Sequence, residues 1–278
     1  MQSLNTLFTK SSLASLVTLQ DLSSYDSVIR KHVSTPDLLE NQEVLTELYQ
    51  FMTKHYRNEY VYQNTLLNKL LLGRHSIKTT TALMQVPIGK SIADFILING
   101  KAVVYEIKSE LDDFTRLKTQ LADYYKAFAH VCVVTSEDKA SRALTILQDT
   151  PVGVIVLTKR NTLSMRKEPQ EELNNLSHRV LFQVLKKREY EQILLQQIGQ
   201  LPQVPPVFQY RASLEVFRTM PMDILYPMIL KELKKRNTLT EERCLGVPYA
   251  LRSLRYFSHY SHAEEERLQT FLKQQYGG

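Results

Sequence analysis

The segment 92–108, IADFILINGKAVVYEIK, constrains this chain more than any other. Two apolar, β-branched halves flank Asn99-Gly100, a dipeptide whose residues accept positive φ, so the segment reads as a hairpin with a tight turn. Each half carries charge where a buried strand should have none: Asp94 on the first, Glu106 and Lys108 on the second. Burying a charge is costly unless it is paired or bound to a metal. Side chains alternate along a strand, so Glu106 and Lys108 share one face. A two-residue loop at Asn99-Gly100 sets Asp94 opposite Tyr105 and sends Asp94 and Glu106 to opposite faces. A three-residue loop with Gly100 as a left-handed bulge brings both carboxylates to one face. A site made of these residues therefore requires the odd loop or an equivalent bulge.

Around this hairpin the texture of the chain is mixed. Residues 1–55 carry apolar side chains three and four apart, as in Leu38, Leu39, Val44, Leu45, Leu48 and Phe51, which predicts helices. NEYVYQNTLLNKLLLGRH continues that pattern to a helix stop at Gly73. ALMQVPIG, IADFILI, KAVVYEIK, HVCVVT and VGVIVLT read as five strands, with helices at about 113–128 and 137–148 between the later ones. A hairpin meander followed by βα units implies an α/β fold with a mixed β-sheet core flanked by helices. EPQEELNNLSHRVLFQVLKKREYEQILLQQI reads as a long amphipathic helix or pair, QLPQVPP as a linker, and the remainder as helical. The expected organisation is an N-terminal helical extension (1–55), a core (56–160) and a helical C-terminal region (161–278).

Composition sets outer limits. The net charge of +6 mildly favours a polyanionic partner. Cys132 and Cys244 make no disulfide framework, and neither has a metal-ligand neighbour at finger spacing; a reducing compartment, the cytoplasm, is expected. No run approaches a membrane span, so no membrane partner is expected.

Two carboxylates meeting at the end of a strand pair repel each other, and one takes a raised pKa unless a cation joins them. Mg²⁺, with Mn²⁺ as a substitute, suits hard oxygen ligands in an octahedron that retains waters. Lys108 points into the same space, where it can hold a phosphate oxygen near a polarised water, an arrangement suited to phosphodiester hydrolysis. Asp94 followed by Glu106-Ile107-Lys108 resembles the D…(D/E)-x-K core of the PD-(D/E)XK nuclease superfamily, the restriction-endonuclease-like fold. Gln120 and Tyr124 in QLADY match the Q-x-x-x-Y element that some members carry on the following helix, and residues four apart share a helix face. Glu59, in YRNEY, sits where many members carry a helical glutamate. The resemblance covers roughly residues 56–136 and points to a bacterial and phage group. Ile92-Ala93 stand before the aspartate where the superfamily's name puts a proline.

The resemblance implies a Mg²⁺-dependent nuclease with catalytic Asp94, Glu106, Lys108, Gln120, Glu59 and Tyr124. Its metal would be held by Asp94, Glu106, the Ile107 carbonyl and Glu59. The substrate is nucleic acid, DNA ahead of RNA, and the products carry 5′-phosphate and 3′-hydroxyl ends. Two alternatives stay open: a catalytically silent nucleic-acid-binding module, and an RNA-targeting toxin or effector of the same fold. The C-terminal helices offer a surface for a homodimer or a protein partner. Asp112 and Asp113 read as helix N-cap and first-turn charge, Glu110 as a loop carboxylate, and His259 with His262 as surface histidines without a ligand cluster. The basic runs at 185–189 and 231–236 read as solvated helix faces, with phosphate contact left open.

Overall fold

The computed structural model describes residues 4–236 and 239–277. The chain begins with helices α1 (Leu4–Leu7), α2 (Lys10–Leu19), α3 (Asp26–His32), α4 (Asn41–His55) and α5 (Glu59–Leu66), the last running into a π-helical turn, Leu67–Leu72. Strands β1 (Thr81–Ile88), β2 (Ser91–Asn99) and β3 (Lys101–Lys108) follow, then α6 (Leu117–Tyr124), β4 (His130–Ser136), α7 (Glu137–Leu147), β5 (Gly153–Leu157) and β6 (Leu163–Lys167). The described chain closes with α8 (His178–Val184), α9 (Lys187–Ile198), α10 (Gln209–Arg218), α11 (Met222–Lys234), α12 (Glu241–Leu245), α13 (Arg252–Phe257) and α14 (His262–Lys273).

The six strands form one mixed sheet in chain order. β1, β2 and β3 are an antiparallel meander, β3–β4 and β4–β5 are parallel across α6 and α7, and β5–β6 is antiparallel. Parallel neighbours need a crossover, and α6 and α7 supply it. On one sheet face, Ile96, Ile98, Val104, Val131 and Val133 pack under α6 and the α8–α11 helices. On the other, Phe95, Leu97, Tyr105, Ile107 and Val134 pack under α5, the π-turn and Tyr256. Both faces are covered, which is why β4 and β5 are buried at every position.

The mixed α/β architecture matches the sequence expectation, but three particulars differ. β6 extends the sheet past residue 160, into the stretch read as purely helical. It is short, polar and half exposed, a protected edge strand with Arg166 and Lys167 at its end, so it carries no apolar signal. The helix or pair expected over 168–198 is a pair, α8 and α9, but it starts only at His178. The C-terminal region is also divided: α8–α11 pack on the sheet, while α13 and α14 share a core with α2–α4 through Leu16, Leu45, Leu48, Leu268 and Phe271. Asn41 Nδ2 donates to the Phe271 carbonyl at 2.9 Å, and Glu40 bridges to Gln275. No helix among the described residues is long and apolar enough to cross a membrane.

Two glycines set the turns of the meander. Gly100 (φ 70°) has open space where a Cβ would stand. Gly89 (φ 62°) has the Asp123 carboxylate 2.8 Å from that position. Asp123 accepts from Lys90 N–H at 3.0 Å and Ser91 Oγ at 2.9 Å, which pins α6 to the β1–β2 turn. Gly100→Ala is expected to cost about 1 kcal/mol, the positive-φ penalty alone. Gly89→Ala must also displace Asp123 and is expected to cost about 2–3 kcal/mol. Urea unfolding of both variants checks this, and equal losses would contradict it.

Candidate active site

The β2–β3 register decides whether the charged residues meet. Asn99 faces Lys101 across Gly100, so the turn holds an odd number of residues. Pairing then runs from Ile98↔Ala102 to Phe95↔Tyr105, and the same register continued by one step sets Asp94 against Glu106. This is the loop that a shared site requires.

A second distortion lies beside Asp94. Leu83, Val86 and Ile88 of β1 belong to one core, although positions 83 and 86 have opposite parity. Between them Gln85 has φ 53°, a left-handed conformation uncommon outside glycine. By the β1–β2 register Gln85 lies opposite Asp94, where Ala93 and Ile96 likewise enter one core across a parity change. The two strands thus twist together at Asp94. Its side chain reaches β3, where Oδ2 accepts the Ile107 N–H at 2.8 Å. In extended chain the N–H and C=O of one residue leave on the same side, so the Ile107 carbonyl also faces the β2 edge.

The remaining contacts form one connected network. Lys108 Nζ lies 2.7 Å from Glu106 Oε1 and donates to Gln120 Oε1 at 2.9 Å. The Tyr124 hydroxyl lies 2.5 Å from Glu106 Oε2 and 2.8 Å from the Ile92 carbonyl, two acceptors for its single proton. Gln120 and Tyr124, four apart on α6, both face the strand ends. Thr135 Oγ1, fully buried on β4, donates to the Lys108 carbonyl at 2.7 Å and fixes the backbone that carries the lysine. Glu106 and Lys108 are 1% and 6% exposed, so this is a buried ion pair rather than a surface one. Such a pair loses several kcal/mol of hydration per ion, which only close geometry and added hydrogen bonds offset.

Sequence reasoning placed Asp94, Glu106, Lys108, Gln120 and Tyr124 together, and the structure joins all five, with the Ile107 amide as the link. Glu59 stands apart. Its Oε1 accepts from Gln63 Nε2 at 2.6 Å and Gln85 Nε2 at 3.0 Å. Glu59 makes no hydrogen bond to the five and meets them through its charge, and among the described residues no three His, Cys, Asp or Glu side chains stand grouped as a ready metal cage. Gln85, Gln63 and Thr135 were not anticipated, and only the position of Thr135 in register with Lys108 could have pointed to it. Asp112 and Asp113 do not cap a helix: Asp112 Oδ2 accepts from Ser109 N at 2.9 Å, Asp113 Oδ1 accepts from Thr115 N at 2.8 Å, and α6 starts only at Leu117. His262 is an exposed partner of Glu266. The two basic runs meet through Arg236–Glu189, while Lys235 pairs with Glu232 and Lys187 with Glu191 on their own helices.

The electrostatics follow from crowding. Burial, then the charges of Glu106 and Glu59, push the Asp94 carboxyl up to about 8. Glu59 is raised by burial, then by Asp112 and Glu106; although the residue is exposed as a whole, its carboxylate is hemmed by protein. Burial and the Glu106 charge raise the Tyr124 hydroxyl, which stays protonated and donating.

Because the folded pKa of Asp94 lies above its unfolded value near 3.8, folding favours its protonated form. That contribution is full below about pH 4 and is lost as the pH rises toward about 8. Metal-free protein is therefore expected to melt at progressively lower temperature across this window. Asp94→Asn is expected to flatten that slope, as read by thermal melts in chelator at each pH; an unchanged slope would contradict the assignment.

No curated protein and no solved structure matches the chain. The family description Bacteriophage P4 protein cII matches residues 52–245, more than two thirds of the sequence. That stretch contains the whole sheet, the network at Glu106 and Lys108, and the helices that cover one sheet face. The chain thus belongs to the Bacteriophage P4 protein cII family, a phage-associated family.

Proposed function

We propose that the protein is a metal-dependent nuclease that hydrolyses phosphodiester bonds, DNA ahead of RNA, with the network around Glu106 as its centre. The observation that carries this reading is the register: an odd turn and a paired strand twist bring Asp94 against Glu106, with Lys108 held between Glu106 and Gln120.

The residues fit a Mg²⁺ or Mn²⁺ ion. Asp94 keeps Oδ1 without a hydrogen-bond donor among the described residues, and carries a carboxyl whose ionisation is opposed by its neighbours. Glu106 uses one lone pair on each oxygen and has others left. Mg²⁺ needs only one or two carboxylates and fills its octahedron with water. Asp94, Glu106 and the Ile107 carbonyl would hold it. When bound, such an ion acidifies water and steadies charge on phosphate oxygens.

The chain's own groups do the rest. Lys108 spends two of its three N–H donors on Glu106 and Gln120, leaving one for a phosphate oxygen or the attacking water. From there it would orient the attacking water, help draw off its proton, and steady charge on the phosphate. Gln120 and Thr135 hold it in position from α6 and β4. Water adds to phosphorus as the bond to the 3′ oxygen breaks; that oxygen takes up the proton, leaving 5′-phosphate and 3′-hydroxyl ends.

Lys108→Ala is expected to lower cleavage about 100- to 1000-fold, in the range of losing one electrostatic stabiliser, while nucleic-acid binding persists. The assay uses plasmid, linear duplex, single strand and tRNA with Mg²⁺ or Mn²⁺, and melts of the variant check that it still folds. Calorimetry should show stoichiometric Mn²⁺ binding that Asp94→Ala abolishes. Cleavage at wild-type rate by Lys108→Ala would refute the role of the lysine. Absence of both cleavage and metal binding in the wild type would leave a silent binding module.

A further inference from the structure

A cavity of about 420 Å³ opens between α4 and the β5–β6 turn, outside the network just described. Lys54, Arg57, Lys159 and Arg160 line it together with Tyr49 and Tyr249, and no acidic residue does. None of these four cations has a carboxylate partner at ion-pair distance among the described residues. Arg57 is the sharpest case. Only two arginines are buried among the described residues, and the other, Arg255, is neutralised by Glu265. Arg57 instead donates to three carbonyls, those of Thr53 at 2.9 Å, Thr158 at 2.7 Å and Lys159 at 2.7 Å. A carbonyl satisfies a donor but supplies no counter-charge, so a buried guanidinium held this way calls for an anion. Glu137 takes the Lys159 main-chain N–H at 3.2 Å, a contact to the backbone rather than to the ammonium.

The position of this cavity links it to the sheet end. β3, β4 and β5 run parallel, with Lys108 beside Thr135 and Ser136 beside Leu157, so their ends form one edge. The cavity begins past β5, two strands or about 10 Å to the side of Lys108 at about 4.8 Å per strand, and Lys159 lies three residues beyond Val156, the register partner of Thr135, or about 10 Å further along at about 3.3 Å per residue. The two offsets together come to about 14 Å, a span of a few nucleotides. Arg57 also lies two residues from Glu59, around the corner between α4 and α5.

We infer that this cavity is a phosphate subsite: it takes a backbone phosphate of a nucleic-acid strand, a few nucleotides from the one at Lys108. The inference rests on the nuclease reading for its substrate but not for its test. Binding of a fluorescent single-stranded oligonucleotide to the full chain is measured by anisotropy in EDTA, where no cleavage occurs, over a series of salt concentrations. Lys54→Glu/Arg160→Glu reverses two exposed side chains that pack no core. It is expected to weaken binding at least about tenfold and to lower the salt slope by about 1–2. Lys31→Glu/Lys273→Glu, an equal charge change on exposed positions elsewhere, is expected to do much less. Equal losses in the two variants, an unchanged slope in the first, or a wild type that binds no oligonucleotide would overturn the subsite. Inorganic phosphate or AMP binding tightly while the oligonucleotide ignores the reversal would also overturn it, giving the cavity to a free phosphate ligand. A protein without nuclease activity whose binding follows the reversal loses the proposed chemistry and keeps the subsite. An active nuclease indifferent to the reversal does the opposite.

Discussion

The buried pair of Lys108 and Glu106 is the interaction on which the rest of this structure depends. An ammonium and a carboxylate at that depth survive only if every neighbour is arranged for them. Gln120 and Tyr124 descend from α6 to supply the third and fourth contacts, and Thr135 on β4 fixes the lysine's backbone. α6 is itself held by Asp123 against the β1–β2 turn. The pair therefore ties together a hairpin turn, a crossover helix and the central parallel strand. Replacing one member by a neutral side chain leaves the other as an uncompensated charge in the core, which typically costs about 3–5 kcal/mol.

Carboxylate crowding gives the site its bias. Asp94 and Glu106 are brought face to face, with Glu59 close enough to add its field, while a single lysine answers them. The protein folds with Asp94 inclined to keep its proton, a tension that a divalent cation would relieve. Membership in the phage P4 cII family places the chain in a phage context, and the chemistry proposed for it comes from these residues rather than from that membership.

Much of this was readable before any coordinates. Asp94, Glu106 and Lys108 stand out because they interrupt strands that are otherwise Ile, Val and Phe, and Gln120 and Tyr124 because four-residue spacing puts them on one helix face. The odd turn followed from asking what register would let the two carboxylates share a face. What stayed hidden has physical causes. β6 is an edge strand of LSMRK, whose pairing comes from main-chain bonds to β5 and leaves no apolar alternation. The left-handed Gln85 is imposed by the joint twist of two strands, and glutamine has no propensity that announces it. Asp112 and Asp113 resemble helix caps in sequence, yet Asp112 bonds back to Ser109 and delays the helix. The pairing of the N-terminal helices with α13 and α14 joins residues more than two hundred positions apart, which no local pattern encodes.

That pairing has a consequence for how the chain assembles. The family match, residues 52–245, begins near the end of α4 and stops with α12, so the helical body formed by α2–α4, α13 and α14 lies almost wholly outside it. The sheet is thereby an insertion within that body, entered and left through adjacent helices. Contacts such as Asn41 with Phe271, 230 positions apart, require closing a very long loop if the intervening chain is disordered. A folded sheet shortens that loop to the distance between its own two ends. The outer helices thus act as a clasp that holds together the two stretches of chain by which the sheet is entered and left.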